Sequence, residues 1–118
     1  MSDKAIRDPK SLTDRLIEAG EKWSDLNAAA EMLEETKKTL LAQITSGFMT
    51  EQSMSVAKAE TLALASNEYG RHLKAMVEAR QLANKARVRY DSGKAFVELA
   101  RSAEATRRSE MNLGSRIT

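Results

Sequence analysis

From Leu12 to Ile44 the chain repeats apolar side chains at alternating intervals of four and three. The positions are Leu12, Leu16, Ala19, Trp23, Leu26, Ala30, Leu33, Lys37, Leu40 and Ile44, and nine of these ten are apolar. A mean spacing of 3.5 residues keeps one narrow seam turned towards a partner helix, which is the packing of a coiled coil. A helix lying singly on a surface has no need of so strict a repeat. The predicted fold class is therefore all-α, a long antiparallel helical hairpin or coiled coil.

The first helix is predicted over residues 9–46, behind an N-terminal arm of residues 1–8. Asp8 is placed to cap it, and Pro9 suits the first helical position, where a missing N–H costs nothing. Asp14 and Glu18 favour the positive end of the helix dipole. Gly20 weakens the helix by roughly 1 kcal/mol relative to Ala. The predicted stop is Ser46-Gly47, because glycine takes the left-handed conformation that closes a helix.

A connector, Phe48 to Gln52, then leads to a second helix predicted over residues 53–112, a stretch without proline. Its apolar side is drawn from Val56, Ala59, Leu62, Ala63, Ser66, Tyr69, Leu73, Met76 and residues onward to Ala103. So short a connector demands an antiparallel pair. With the turn near Phe48, Trp23 faces Leu73 and Met76, and Leu12 faces about Lys85. Residues beyond 88 are then left without a partner in the first helix, although they carry Phe96, Val97, Leu99 and Met111. Either Ser92-Gly93 breaks the helix and Lys94 to Met111 folds back as a third helix, or the overhang pairs with another subunit. Self-association is the expectation, since a lone two-helix hairpin buries little surface. Residues 113–118 read as a frayed tail, and the whole chain, 1–118, as one domain.

Composition removes several function classes. In 118 residues there is no cysteine, so disulfide scaffolds, thiol nucleophiles and cysteine metal sites are excluded. No apolar run approaches the ~20 residues of a membrane span, and Met1 to Lys10 holds no signal region, so a soluble, cytoplasmic protein is expected. Gly93-Lys94 lacks the upstream glycine of a phosphate-cradling loop, the residues five and six before Gly93 being Val88 and Arg87. The single histidine, His72, lies four after Glu68, but two ligands do not make a metal site. A di-iron bundle would need histidine where Arg71 stands. His72 is expected to be exposed or salt-bridged. With no second histidine to activate a hydroxyl, no enzyme, cofactor, metal or small-molecule substrate is expected.

Charge is distributed unevenly along the chain. Residues 1–79 carry 10 basic and 13 acidic side chains, and residues 80–118 carry 9 and 4. Arg80, Arg87, Lys94, Arg101 and Arg108 recur every seven residues, one nearly straight row about 42 Å long on a continuous helix. Lys85, Arg89 and Arg107 add charge on other faces. Forked guanidinium donors suit phosphate, so the row is a candidate surface for nucleic acid or an acidic protein. The competing reading is a row that flanks a coiled-coil seam, partly neutralised by Asp91 and Glu98 four residues after Arg87 and Lys94. Near the turn, Phe48, Met49 and Met54 either form an adaptable protein-contact tip or cap the end of the hairpin.

The stretch Tyr69 to Met111, with His72, Met76, Ala79-Arg80, Ala83-Asn84, Tyr90 and Glu104-Ala105-Thr106-Arg107-Arg108-Ser109-Glu110-Met111, resembles a group of small helical proteins encoded by tailed phages and prophages. The resemblance covers the C-terminal third to half of the chain and transfers no functional residue. It implies a bacterial host cytoplasm and a role near DNA replication and recombination, or in binding and disabling a host defence or nuclease complex. The functional expectation is a non-enzymatic binding protein whose basic C-terminal helix engages nucleic acid or a nucleoprotein complex. A host-protein inhibitor or adaptor, and a self-assembling structural coiled coil, are the alternatives.

Overall fold

The computed structural model describes residues 9–117, with side-chain surroundings over residues 11–115. Three helices follow one another: α1, Pro9–Gln52; α2, Val56–Leu64; and α3, Asn67–Ile117. No strand occurs among the described residues. The chain is an all-α helical hairpin, with α1 as one arm and α2 followed by α3 as the other. No helix among the described residues is long and apolar enough to cross a membrane.

The four-three repeat of α1 is the face the fold shields: all ten positions from Leu12 to Ile44 are buried or half-buried. On α3 a matching repeat, Tyr69, His72, Met76, Ala79, Ala83, Ala86, Tyr90, Gly93 and Val97, is likewise shielded. Small residues dominate the most buried positions, with Ala30, Ala59, Ala63 and Ala83 at 0% exposure and, among the described residues, no large side chain fully buried. Alanine lets helix backbones approach, but each alanine removes little apolar surface from water. Several residues expected on the apolar side of the second arm lie outside this seam, with Val56, Leu62 and Leu82 exposed.

Three predicted boundaries move. α1 does not stop at Ser46-Gly47. No glycine here has a positive φ, and the helix continues through Phe48 and Met49, both half-buried, to Gln52. It is closed instead by Ser53, whose φ of 51° is the left-handed conformation. Ser55 then starts α2 by accepting the Lys58 N–H at 3.4 Å. The second arm is broken at Ala65-Ser66 and is continuous at Ser92-Gly93. The hydroxyl of Ser66 donates to the Ala63 carbonyl at 2.6 Å and accepts the Tyr69 N–H at 3.2 Å, so one side chain serves the end of α2 and the start of α3. Gly93 is helical and lies in the seam, where a Cβ would be 3.3 Å from Leu16 Cδ1. Over the predicted tail α3 persists to Ile117, with no proline to stop it. The predicted arm, Asp8 cap included, lies outside the described residues.

Moving the turn from Phe48 to Met54 moves the pairings across it by a dozen residues or more. Leu12 accordingly lines one groove with Val97 rather than facing Lys85. Trp23 stacks on Tyr90, ring centroids 5.8 Å apart, rather than on Leu73 and Met76. The contacts of the hairpin fall into two compact units, Ser24–Lys85 and Met1–Trp23 with Ala86–Thr118.

Candidate functional site

The basic row begins in the unit Ser24–Lys85, and there it is committed to the fold. Arg80 follows seam residue Ala79, so its side chain leaves α3 along the edge that faces α1. Its Nε and Nη2 donate to the two carboxylate oxygens of Glu34 at 2.9 and 3.0 Å, and its Nη1 donates to Asn27 Oδ1 at 2.8 Å. Asn27 in turn donates to Glu31 at 3.1 Å. The hydrogen bonds from Arg80 hold the Glu34 carboxyl below the ordinary carboxylate value, against a smaller opposing effect of desolvation. Glu34 raises the Arg80 guanidinium by the same bonds. A guanidinium so engaged is a cross-helix clasp rather than a free phosphate ligand. Lys85 is exposed in this unit and makes no ion pair among the described residues.

In the other unit the row divides. Arg87 lies over the Trp23 ring at 6.0 Å from the centroid, with its Nε 3.8 Å from Asp91, and Lys94 lies over Tyr90 at 5.4 Å. Both flank the seam and cover the stacked aromatic pair, a packing role for their stems and a cation–π role for their heads. Tyr90 sits close to α1 because position 20 is glycine: a Cβ there would be 3.0 Å from its Cε2. Further along, Arg101, Arg107 and Arg108 line an open groove of about 850 Å³ with Leu12, Phe96 and Val97. Glu104, in the same groove, accepts from Arg107 at 2.8 Å and lies 3.6 Å from Arg108. Arg101 and Arg89 are exposed and have no carboxylate partner among the described residues.

The structure thus gathers Arg101, Arg107 and Arg108 into one place. It assigns Arg80, Arg87 and Lys94 to the seam's edge and leaves Lys85 and Arg89 on other faces. The charge contrast along the chain is also reduced on folding. Acidic residues of α1 pack in the same unit as the basic end of α3, and over residues 11–23 and 86–115 eight basic side chains meet seven acidic ones.

The other candidates take structural places. Phe48 and Met49 ride the last two turns of α1 and Met54 the turn itself, all three half-buried. His72 is neither exposed nor salt-bridged. It is half-buried, and its Nε2 lies 2.7 Å from the Leu33 carbonyl, which only accepts, so Nε2 carries the proton and donates. No signal in the sequence pointed to this clasp, because it depends on a register set elsewhere. Among the described residues no group of three or more His, Asp or Glu is placed to hold a metal ion. Comparison of the chain with protein-family models, curated proteins and solved structures gives no match.

Proposed function

We propose that the protein is a non-enzymatic helical binding protein that presents the last part of α3 to an anionic partner, nucleic acid or a nucleoprotein complex. The observation that carries this reading is the convergence of Arg101, Arg107 and Arg108 on one open groove in which, among the described residues, Glu104 is the acidic one. The rest of the row contributes to holding the hairpin together and is not part of the binding surface. Contacts of this kind read phosphate and not base sequence. The phage setting implied by the resemblance of Tyr69 to Met111 is consistent with such a role and specifies no residue.

The test is the salt dependence of binding to duplex and single-stranded DNA. Log affinity for duplex falls with log salt, with a slope of about −2 to −3 for three neutralised phosphates. Replacing Arg101, Arg107 and Arg108 together by Gln flattens that slope, whereas Arg80→Gln leaves it unchanged. Binding independent of salt, or none at low salt, overturns the reading. A second reading, a protein-binding inhibitor or adaptor, draws on the exposed Phe96 and Leu99 beside the arginines, at 47% and 70% exposure. Host partners retained after nuclease treatment favour it, and partners lost favour nucleic acid.

A further inference from the structure

Beyond its contact with α1, α3 carries a second face, free of charged side chains and half apolar. Stepping from Val88 alternately by four and three gives Ser92, Ala95, Leu99 and so on to Leu113, eight positions without a charge. This is the same 3.5-residue repeat that forms the intramolecular seam, but it lies on the opposite side of the helix and every position is exposed. Val88 is 64%, Leu99 70% and Leu113 57% exposed, with Phe96 alongside at 47%. The stripe runs for about 38 Å at 1.5 Å per residue. The exposed apolar side chains gathered along it, Val88, Leu99 and Leu113 with Phe96 beside them, are surface of the kind an interface buries.

We infer that this face is occupied by the same face of a second copy of the chain, packed antiparallel about a two-fold axis near Ala100-Arg101. The choice of occupant rests on complementarity of the face with itself. In this register Val88 meets Leu113, Ala95 meets Thr106 and Leu99 meets Ser102. On one flank Arg89 meets Glu110, and Phe96 meets Ala103. On the other flank Asp91 meets Asn112 and Glu98 meets Ala105, so no like charges oppose each other. Among the described residues Arg89 and Glu110 make no ion pair, and the two-fold axis supplies each with its opposite twice over. A parallel copy supplies no such pair: it sets Asp91 against Phe96, Glu98 against Ala103 and Glu110 against Ala105. An isologous two-fold contact is also the commonest closed assembly, and it leaves no unsatisfied face to propagate. This inference does not depend on the nucleic-acid reading: the eight stripe positions and the three groove arginines are different residues, although Phe96 and Ala105 border both.

Sedimentation equilibrium of the full chain, freed of nucleic acid, gives the mass of a dimer. Leu99→Glu, at an exposed position and thus compatible with the fold, weakens the dimer by about 100-fold or more while helical circular dichroism is retained. Arg89→Glu or Glu110→Arg alone weakens it, and the double exchange R89E/E110R restores it, an outcome a merely structural role would not give. Because the chain has no cysteine, direction is read by cross-linking. A mixture of Val88→Cys and Leu113→Cys chains forms the mixed disulfide in the antiparallel arrangement, and Val88→Cys chains link to each other only in a parallel one. A single-chain mass up to millimolar concentration, a dimer indifferent to Leu99→Glu, or self-linked Val88→Cys overturns the proposal.

Discussion

Two glycines separate a residue's local preference from its tertiary use. Gly20 and Gly47 both stand inside α1, where glycine costs roughly 1 kcal/mol against alanine. Nothing lies within 4 Å of a Cβ at Gly47, whereas at Gly20 it meets the Tyr90 ring at 3.0 Å. Gly47→Ala is expected to raise stability by about 0.5–1 kcal/mol. Gly20→Ala forfeits that gain because the ring must move off Trp23, and thermal denaturation of the two variants compares them directly. The Arg80–Glu34 fork makes a different kind of prediction. The Glu34 carboxyl titrates below its ordinary value in the fold, so what it contributes is present above the ordinary carboxylate range and is lost as pH falls through the folded value. The stability difference between wild type and Glu34→Gln, measured by denaturant unfolding, is therefore present at neutral pH and vanishes in acid. Both partners are partly exposed, so the difference is small and salt-sensitive.

At the scale of the element, three serines, Ser53, Ser55 and Ser66, decide where the helices begin and end. Ser53 holds a left-handed φ that glycine adopts without steric cost. Ser53→Gly is expected to stabilise the hairpin by about 0.5–1 kcal/mol, with no change in register. Ser66→Ala removes the cap of α3 and costs about 1 kcal/mol. Hydrogen exchange locates that loss at the amide of Tyr69, whose bond to the Ser66 hydroxyl disappears. Ser66-Asn67-Glu68 is a legible start signal, a capping residue followed by an acid in the first turn. It is outcompeted on paper by Ser92-Gly93, which looks like a stronger break. Glycine at 93 serves close approach to Leu16 instead, a demand invisible until the opposite helix is in place.

For the molecule as a whole, the basic row shows how a pattern of residues acquires its meaning. Seven-residue spacing is shared by a phosphate-following row and by the edge of a seam, and the sequence alone is indifferent between them. Once α1 lies alongside, Arg80 meets Glu34, while Arg87 and Lys94 meet Trp23 and Tyr90. Only the end of the row is left for an external partner. If the dimer forms as inferred, Phe96, Leu99 and Leu113 leave water together, which accounts for apolar residues that a lone hairpin exposes.

The sequence by itself determined the helical class and the shielded face of α1, since both follow from a period of 3.5 residues that any single arm displays on its own. It also held the uncharged stripe from Val88 to Leu113, which is a property of one helix. Register was decided only in the tertiary structure. A pairing between distant residues depends on where the chain turns, and six residues of displacement at the turn, from Phe48 to Met54, become twelve at Leu12. That displacement, together with the close approach of Tyr90 to Gly20 and of Leu16 to Gly93, selects which basic residues are spent inside the hairpin and which remain outside it.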